Sequence, residues 1–188
     1  MASNASEGGS GRLVPWRFLG WGAAAILILT PLVAMQFTSE VNWTLSDFIF
    51  AGAMFGIVGG LFELTVRASG NSWYRGGVAL ALFTSFLLVW INGAVGVIGD
   101  EGNPANLMFY VVILMAIAGA IAARFEAPGM ARAMTVAAIA EIAIAAVALA
   151  AGLGANEPPG MAGVVIIICF FAVLWFLSAF CFRKAAAG

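Results

Sequence analysis

Of 188 residues, 63% are hydrophobic and only 9% charged, with a net charge of −1 and no histidine. Soluble domains carry roughly 25% charged residues, so this balance is that of a chain embedded in lipid. It excludes a basic nucleic-acid-binding surface, and it excludes haem, chlorophyll or metal sites that need imidazole ligands.

Residues 1–11 are rich in Ser, Gly and Asn and read as a flexible tail. They lack the basic start of a signal peptide, and the apolar run that follows is long, with no small-residue cleavage site after it. That run, 18–37, is expected to stay as a membrane helix, with Pro31 as a potential kink. Five more runs of about 20 apolar residues, the length that spans a bilayer, follow at 45–66, 76–99, 107–125, 133–154 and 161–182. The connections are short, so consecutive helices are expected to be antiparallel neighbours.

The charges orient this trace. Arg12 and Arg17 precede the first run, Arg67 and Arg75 separate the second from the third, Arg124 and Arg132 separate the fourth from the fifth, and Arg183 and Lys184 follow the sixth. All eight basic residues therefore fall on one side, which the positive-inside rule makes cytoplasmic. The other side carries Glu40, Asp47, Asp100, Glu101 and Glu157. The expected fold is all-α: an integral membrane bundle of six transmembrane helices with both termini cytoplasmic. One domain, 16–184, would lie between cytoplasmic tails at 1–15 and 185–188.

The second run holds Gly52, Gly56 and Gly60 at four-residue spacing, with Gly59 beside them. Such a glycine zipper forms a groove into which another helix backbone can press. Glu63 extends the same face and Arg67 follows at i+4, the favourable direction for an ion pair. Before this run, Thr44 and Asp47 have capping-box spacing. The third run carries small and weakly polar residues on one face, including Gly77, Thr84, Ser85, Asn92 and Gly96. Asn103-Pro104 reads as a cap and first helical position for the fourth helix. Pro128-Gly129 and Pro158-Pro159-Gly160 read as turns. In the sixth run Phe170, Phe171, Trp175, Phe176, Phe180 and Phe182 are spread around the helix, which suits lipid or a subunit contact better than a central position.

Glu141 asks for an explanation. It lies nine residues beyond Arg132, about 13 Å along a helix, near the middle of a core ~30 Å thick. A carboxylate there costs on the order of 3 kcal/mol on insertion scales, so it should be protonated, hydrogen-bonded or facing water. Thr84 and Asn92, counted inward from Arg75 and Asp100, come out near that depth and are the expected partners. The only Lys is in the tail, which excludes a retinal Schiff base, and Cys169 and Cys181 are too far apart on one helix to pair with each other. No cofactor is expected, and no acid, base and nucleophile converge as an enzyme would need.

Several stretches resemble a family of small, functionally uncharacterised bacterial inner-membrane proteins. They are Val41-Asn42-Trp43-Thr44 with Ser46-Asp47-Phe48, residues 90–96 (WINGAVG), 99–106 (GDEGNPAN), Ala123-Arg124-Phe125 and Gly129-Met130-Ala131. The resemblance implies a multi-pass protein of the bacterial inner membrane and brings no catalytic or binding role. Two functional classes follow. One is a structural or accessory membrane subunit, with the lipid bilayer and a membrane-protein partner or second copy as its contacts and no nucleic acid. The other is a small proton- or ion-coupled permease using Glu141, lined by Thr84, Ser85 and Asn92.

Overall fold

The computed structural model describes residues 13–188, with side-chain surroundings from Phe18 onward. The tail at 1–11 and the basic residue Arg12 lie outside the described residues, as does the side chain of Arg17. Six α-helices run in order: α1 (Leu13–Ala34), α2 (Leu45–Ala68), α3 (Ser72–Ala94), α4 (Leu107–Ala122), α5 (Ala127–Ala151) and α6 (Gly160–Ala187). A single 3-10 turn, Pro104–Asn106, leads into α4, and no strand occurs among the described residues. Five stretches are long and apolar enough to cross a membrane: α2, α3, α4 with its leading turn, α5 and α6. In α1 the described apolar stretch, Phe18–Ala34, is shorter. The chain leaves the helix at Ala34 through a tight turn in which Gln36 N–H donates to Val33 and Phe37 N–H to Ala34.

The helix boundaries follow local chemistry. At α2 the Asp47 carboxylate accepts from the Thr44 backbone N–H (2.7 Å) and from the Thr44 hydroxyl (2.7 Å), one half of a capping box. Asn71 caps α3 by accepting from the N–H groups of Trp73 and Tyr74. The expected third span overshoots the observed helix end. Gly96 has φ +74, and a Cβ there would lie 2.3 Å from the Asp100 carbonyl oxygen, so the chain leaves the helix where only glycine fits. Pro128-Gly129 is not a turn but the first turn of α5, where proline's missing N–H costs no hydrogen bond. Asn103 and Pro104 start the 3-10 turn in their expected roles, with the Asn103 side chain accepting from Ala105 N–H.

The chain divides into two compact units whose boundary falls inside α2, between Leu61 and Phe62. In the N-terminal unit, the indole of Trp21 lies against Gly59, where a Cβ would come within 2.9 Å of it. The second unit, Phe62–Gly188, holds four long helices. In it α6 packs along both α3 and α5, α4 packs along α5, and α3 touches α4 more lightly. Three sets of contacts register these helices as antiparallel. The Ser178 hydroxyl donates to the Gly77 carbonyl (2.8 Å) and the Asn71 amide to that of Ala185. Arg183 donates to the Thr135 hydroxyl, while Gly154 meets Val164 at the other end. Gly119 lies against Ala133, and Gly129 against Ala123.

The sixth helix corrects its expected placement. It is central to its unit, with Val164, Ile168, Phe171, Trp175 and Phe182 fully enclosed, while Phe170, Phe176 and Phe180 are exposed on its other side. The reason is volume complementarity. The facing helix α5 buries Ala131, Ala137, Ala138, Ala145 and Ala148, and α3 offers Gly77 directly against the Phe182 ring. Large rings fill the space that small residues leave, as close packing demands.

Candidate functional site

Among the described residues, five polar side chains are buried: Thr84, Asn92, Asn106, Glu141 and Ser178. They sort into those whose hydrogen bonds close within the fold and those left open.

Asn106 is the most fully bonded. Its Oδ1 accepts from the N–H groups of Val97 (3.2 Å) and Ile98 (2.9 Å), and its Nδ2 donates to the carbonyls of Ile98 (3.2 Å) and Asp100 (2.7 Å). One side chain therefore satisfies the backbone of the α3–α4 connection, where Val97 and Ile98 are enclosed. Against that connection sits the α5–α6 loop, whose Glu157 carboxyl lies against Gly99. The stretches 90–96 and 99–106 are thus the parts of one folded loop: a glycine exit, a buried asparagine and a capped turn. Sequence reasoning missed Asn106; the signal was an asparagine three residues after another, bracketing a proline, with glycines at 96 and 99.

At the opposite end of the same unit, Arg75 donates to the carbonyls of Val66 and Ser69 at the end of α2. The Tyr74 hydroxyl donates to the Phe125 carbonyl (2.7 Å) in the left-handed turn after α4. Arg75, Arg124, Arg132 and Arg183 thus share one end of this unit, and Asp100, Glu101 and Glu157 the other.

Glu141 is different. Its side chain has no exposure, and neither carboxyl oxygen has a hydrogen-bond partner among the described residues. The indole N–H of Trp175, on the facing helix α6, is in electrostatic reach of the carboxyl but does not make a hydrogen bond of ordinary geometry. Buried groups left unpaired are uncommon and call for an explanation.

The expected partners do not surround it. The α5–α6 and α6–α3 registers place Glu141 about level with Leu177 and Val78. Thr84 is then about 9 Å further along α3, and Asn92 about 21 Å, at 1.5 Å per residue. The inward count from Asp100 failed for Asn92 because α3 ends at Ala94, and the charge lies beyond a folded loop rather than at the helix end. The hydroxyls are also committed: Thr84 donates to Leu80 (2.6 Å) and Ser85 to Ala81 (2.9 Å), each within its own helix. Asn92 donates to Leu88 (2.7 Å), leaving its Oδ1 open. Ser178, the buried hydroxyl nearest Glu141 in register, was not among the expected residues, and it is bonded to Gly77 across helices.

Of the residues expected to pack α2, Glu63 and Arg67 form the i,i+4 ion pair, with Arg67 largely exposed. At Gly52, Gly56 and Gly60 an added Cβ would meet no heavy atom of the described residues within 4 Å. Close glycine contacts among the described residues include Gly59, beside that stripe, against Trp21, Gly77 against Phe182, Gly119 against Ala133 and Gly129 against Ala123.

The class defined by these features is an all-helical chain with five stretches able to cross a membrane. Comparison with known protein families, with curated proteins and with solved structures finds no match.

Proposed function

We propose that this chain is a multi-pass protein of a bacterial inner membrane, with six crossings and both termini cytoplasmic, acting as a structural or accessory subunit rather than as an enzyme. The observation that carries the reading is the sealed core. The Glu141 carboxyl has no path to solvent at its own position, and the cleft between α5 and α6 is lined by other residues. A carrier needs its coupling group to reach water from one face or the other, and a carboxyl with no exposed surface is not placed to do so. The four-residue spacing of Gly52, Gly56 and Gly60 adds support, because it suits the close approach of another helix. The side assignment rests on the placement of all eight basic residues, and the bacterial inner membrane on the resemblance of the 41–48, 90–96 and 99–106 stretches.

One observation favours the second reading, a proton-coupled permease. Neither Glu141 oxygen nor the Trp175 Nε1 makes a hydrogen bond of ordinary geometry among the described residues, although the two groups are in electrostatic reach, an arrangement a purely structural core would avoid. Reconstituted vesicles separate the two. The structural reading expects no proton flux above that of empty vesicles, and unchanged thermal unfolding in Glu141→Gln. A flux present in the parent and abolished in Glu141→Gln overturns it and installs the carrier.

A further inference from the structure

At the arginine-rich end of the second unit, the first two turns of α5 and the end of α6 enclose a cleft of about 480 Å3. Arg132, Thr135 and Arg183 supply its polar groups, and Pro128, Ala131 and Val136 are among its walls. Neither arginine has a carboxylate within ion-pair distance among the described residues; the Glu63–Arg67 pair lies elsewhere. Arg183 is held by a hydrogen bond to the Thr135 hydroxyl (3.3 Å), and that hydroxyl in turn donates to Ala131. Both arginines therefore line one cleft beside the first turns of a 25-residue helix, whose positive dipole end adds to their field. Glu126, at the N-cap of α5, is the acidic residue closest in sequence; its side chain makes no cap hydrogen bond and it is exposed, outside the cleft lining.

From this geometry we infer a binding site for the phosphate of an anionic phospholipid, with Arg132 and Arg183 holding the headgroup. Charge complementarity selects a phosphate, and the surroundings select a lipid over a free anion. Both arginines sit at the ends of membrane-length helices, at the level where headgroups lie. From the cleft, one helical turn toward the membrane interior, α5 exposes Ile139 beyond Val136 and α6 exposes Phe180 and then Phe176. These positions follow Val136 and Arg183 at helical spacing, so they offer an apolar track for an acyl chain below the bound phosphate. The inference rests on the membrane reading, which alkaline extraction of native membranes tests by itself.

Purified protein in a neutral detergent is titrated with phosphatidylglycerol, with phosphatidylcholine and with inorganic phosphate, and retained lipid is counted by native mass spectrometry. Retention of phosphatidylglycerol over phosphatidylcholine is expected in the parent. Each of Arg132→Gln and Arg183→Gln should weaken it roughly fivefold. The Arg132→Lys/Arg183→Lys double variant should keep part of the selectivity, and Arg67→Gln should keep all of it. Equal retention of the two lipids, or unchanged binding in the double Gln variant, overturns the site; displacement of the lipid by millimolar inorganic phosphate shows a general anion site instead. A second measurement needs no variant. A photoactivatable phosphatidylglycerol should label peptides containing residues 128–136 and 176–186 of the parent, and labelling confined to other helices refutes the assignment.

Discussion

At the residue scale, two buried side chains with opposite hydrogen-bonding states make opposite predictions. Asn106 satisfies two backbone N–H groups and two carbonyls. Asn106→Ala leaves enclosed backbone groups at Val97 and Ile98 unpaired, a loss on the order of 2–4 kcal/mol. Thermal unfolding in detergent should shift clearly downward, and an unchanged transition would mean that water replaces the amide. Asn106→Asp keeps the acceptor oxygens but removes the donor to Ile98 and Asp100, so it should fall between parent and alanine. Glu141 has no hydrogen bond of ordinary geometry to lose, only the Trp175 indole in electrostatic reach. Glu141→Met retains most of the volume and removes an unpaired polar group, which should leave stability unchanged or raise it by about 1–3 kcal/mol. A marked fall in unfolding temperature would reveal a partner for the carboxyl, such as a second chain or an ordered water.

At the scale of the helices, glycine spacing by itself did not locate the contacts. Gly52, Gly56 and Gly60 have the better motif, yet the close approaches lie at Gly59 beside them and, in the second unit, at positions such as Gly77 and Gly119. What marks the latter is the partner: an Ala on α5 for Gly119, and a ring on α6 for Gly77. A Cβ at Gly119 would lie 2.7 Å from the Ala133 Cβ, too close for either backbone to stay in place. Gly119→Leu should therefore destabilise the fold by about 1–3 kcal/mol or more, as overpacking does. Gly56→Leu faces open space and should leave the unfolding of the isolated chain near the parent value. Equal losses from the two substitutions would show that the α2 groove is filled, by lipid-mediated or chain-to-chain packing. The complementary pattern on α5 and α6, alanines against Phe171, Trp175 and Phe182, makes the same point with larger residues.

For the molecule as a whole, the testable quantity is topology. Single cysteines at Glu40, Asp100 and Glu157, in a background where Cys169 and Cys181 are replaced, should react with a membrane-impermeant maleimide from outside the cell. A cysteine at Arg124 should react only after the inner face is opened. Labelling of the two sets in the reverse order would invert the model, and labelling of Asp100 and Glu157 from different sides would break it. The last outcome would also contradict the contact of Glu157 with Gly99, which ties those two loops to one end of the second unit.

An all-helical chain with several helices of membrane-spanning length was legible in the sequence because apolar length is a one-dimensional property, although five of the six expected spans reach that length among the described residues. Apolar length sets what can span lipid, and short connections leave antiparallel packing as the simple solution. Caps at Thr44, Asp47, Asn103 and Pro104 were legible for the same reason, since a cap acts within four residues of itself. Glu141 stood out because a carboxylate among alanines needs no third dimension to be noticed. What surrounds it did need one. The level of a residue in the bundle depends on where each helix ends and how its neighbours slide against it, and α3 ends at Gly96's turn rather than at Asp100. The central place of α6 in its unit and the sharing of one cleft by Arg132 and Arg183 were likewise decided only by tertiary structure. Each depends on which helix faces which, and a residue's type and spacing do not contain its neighbour's.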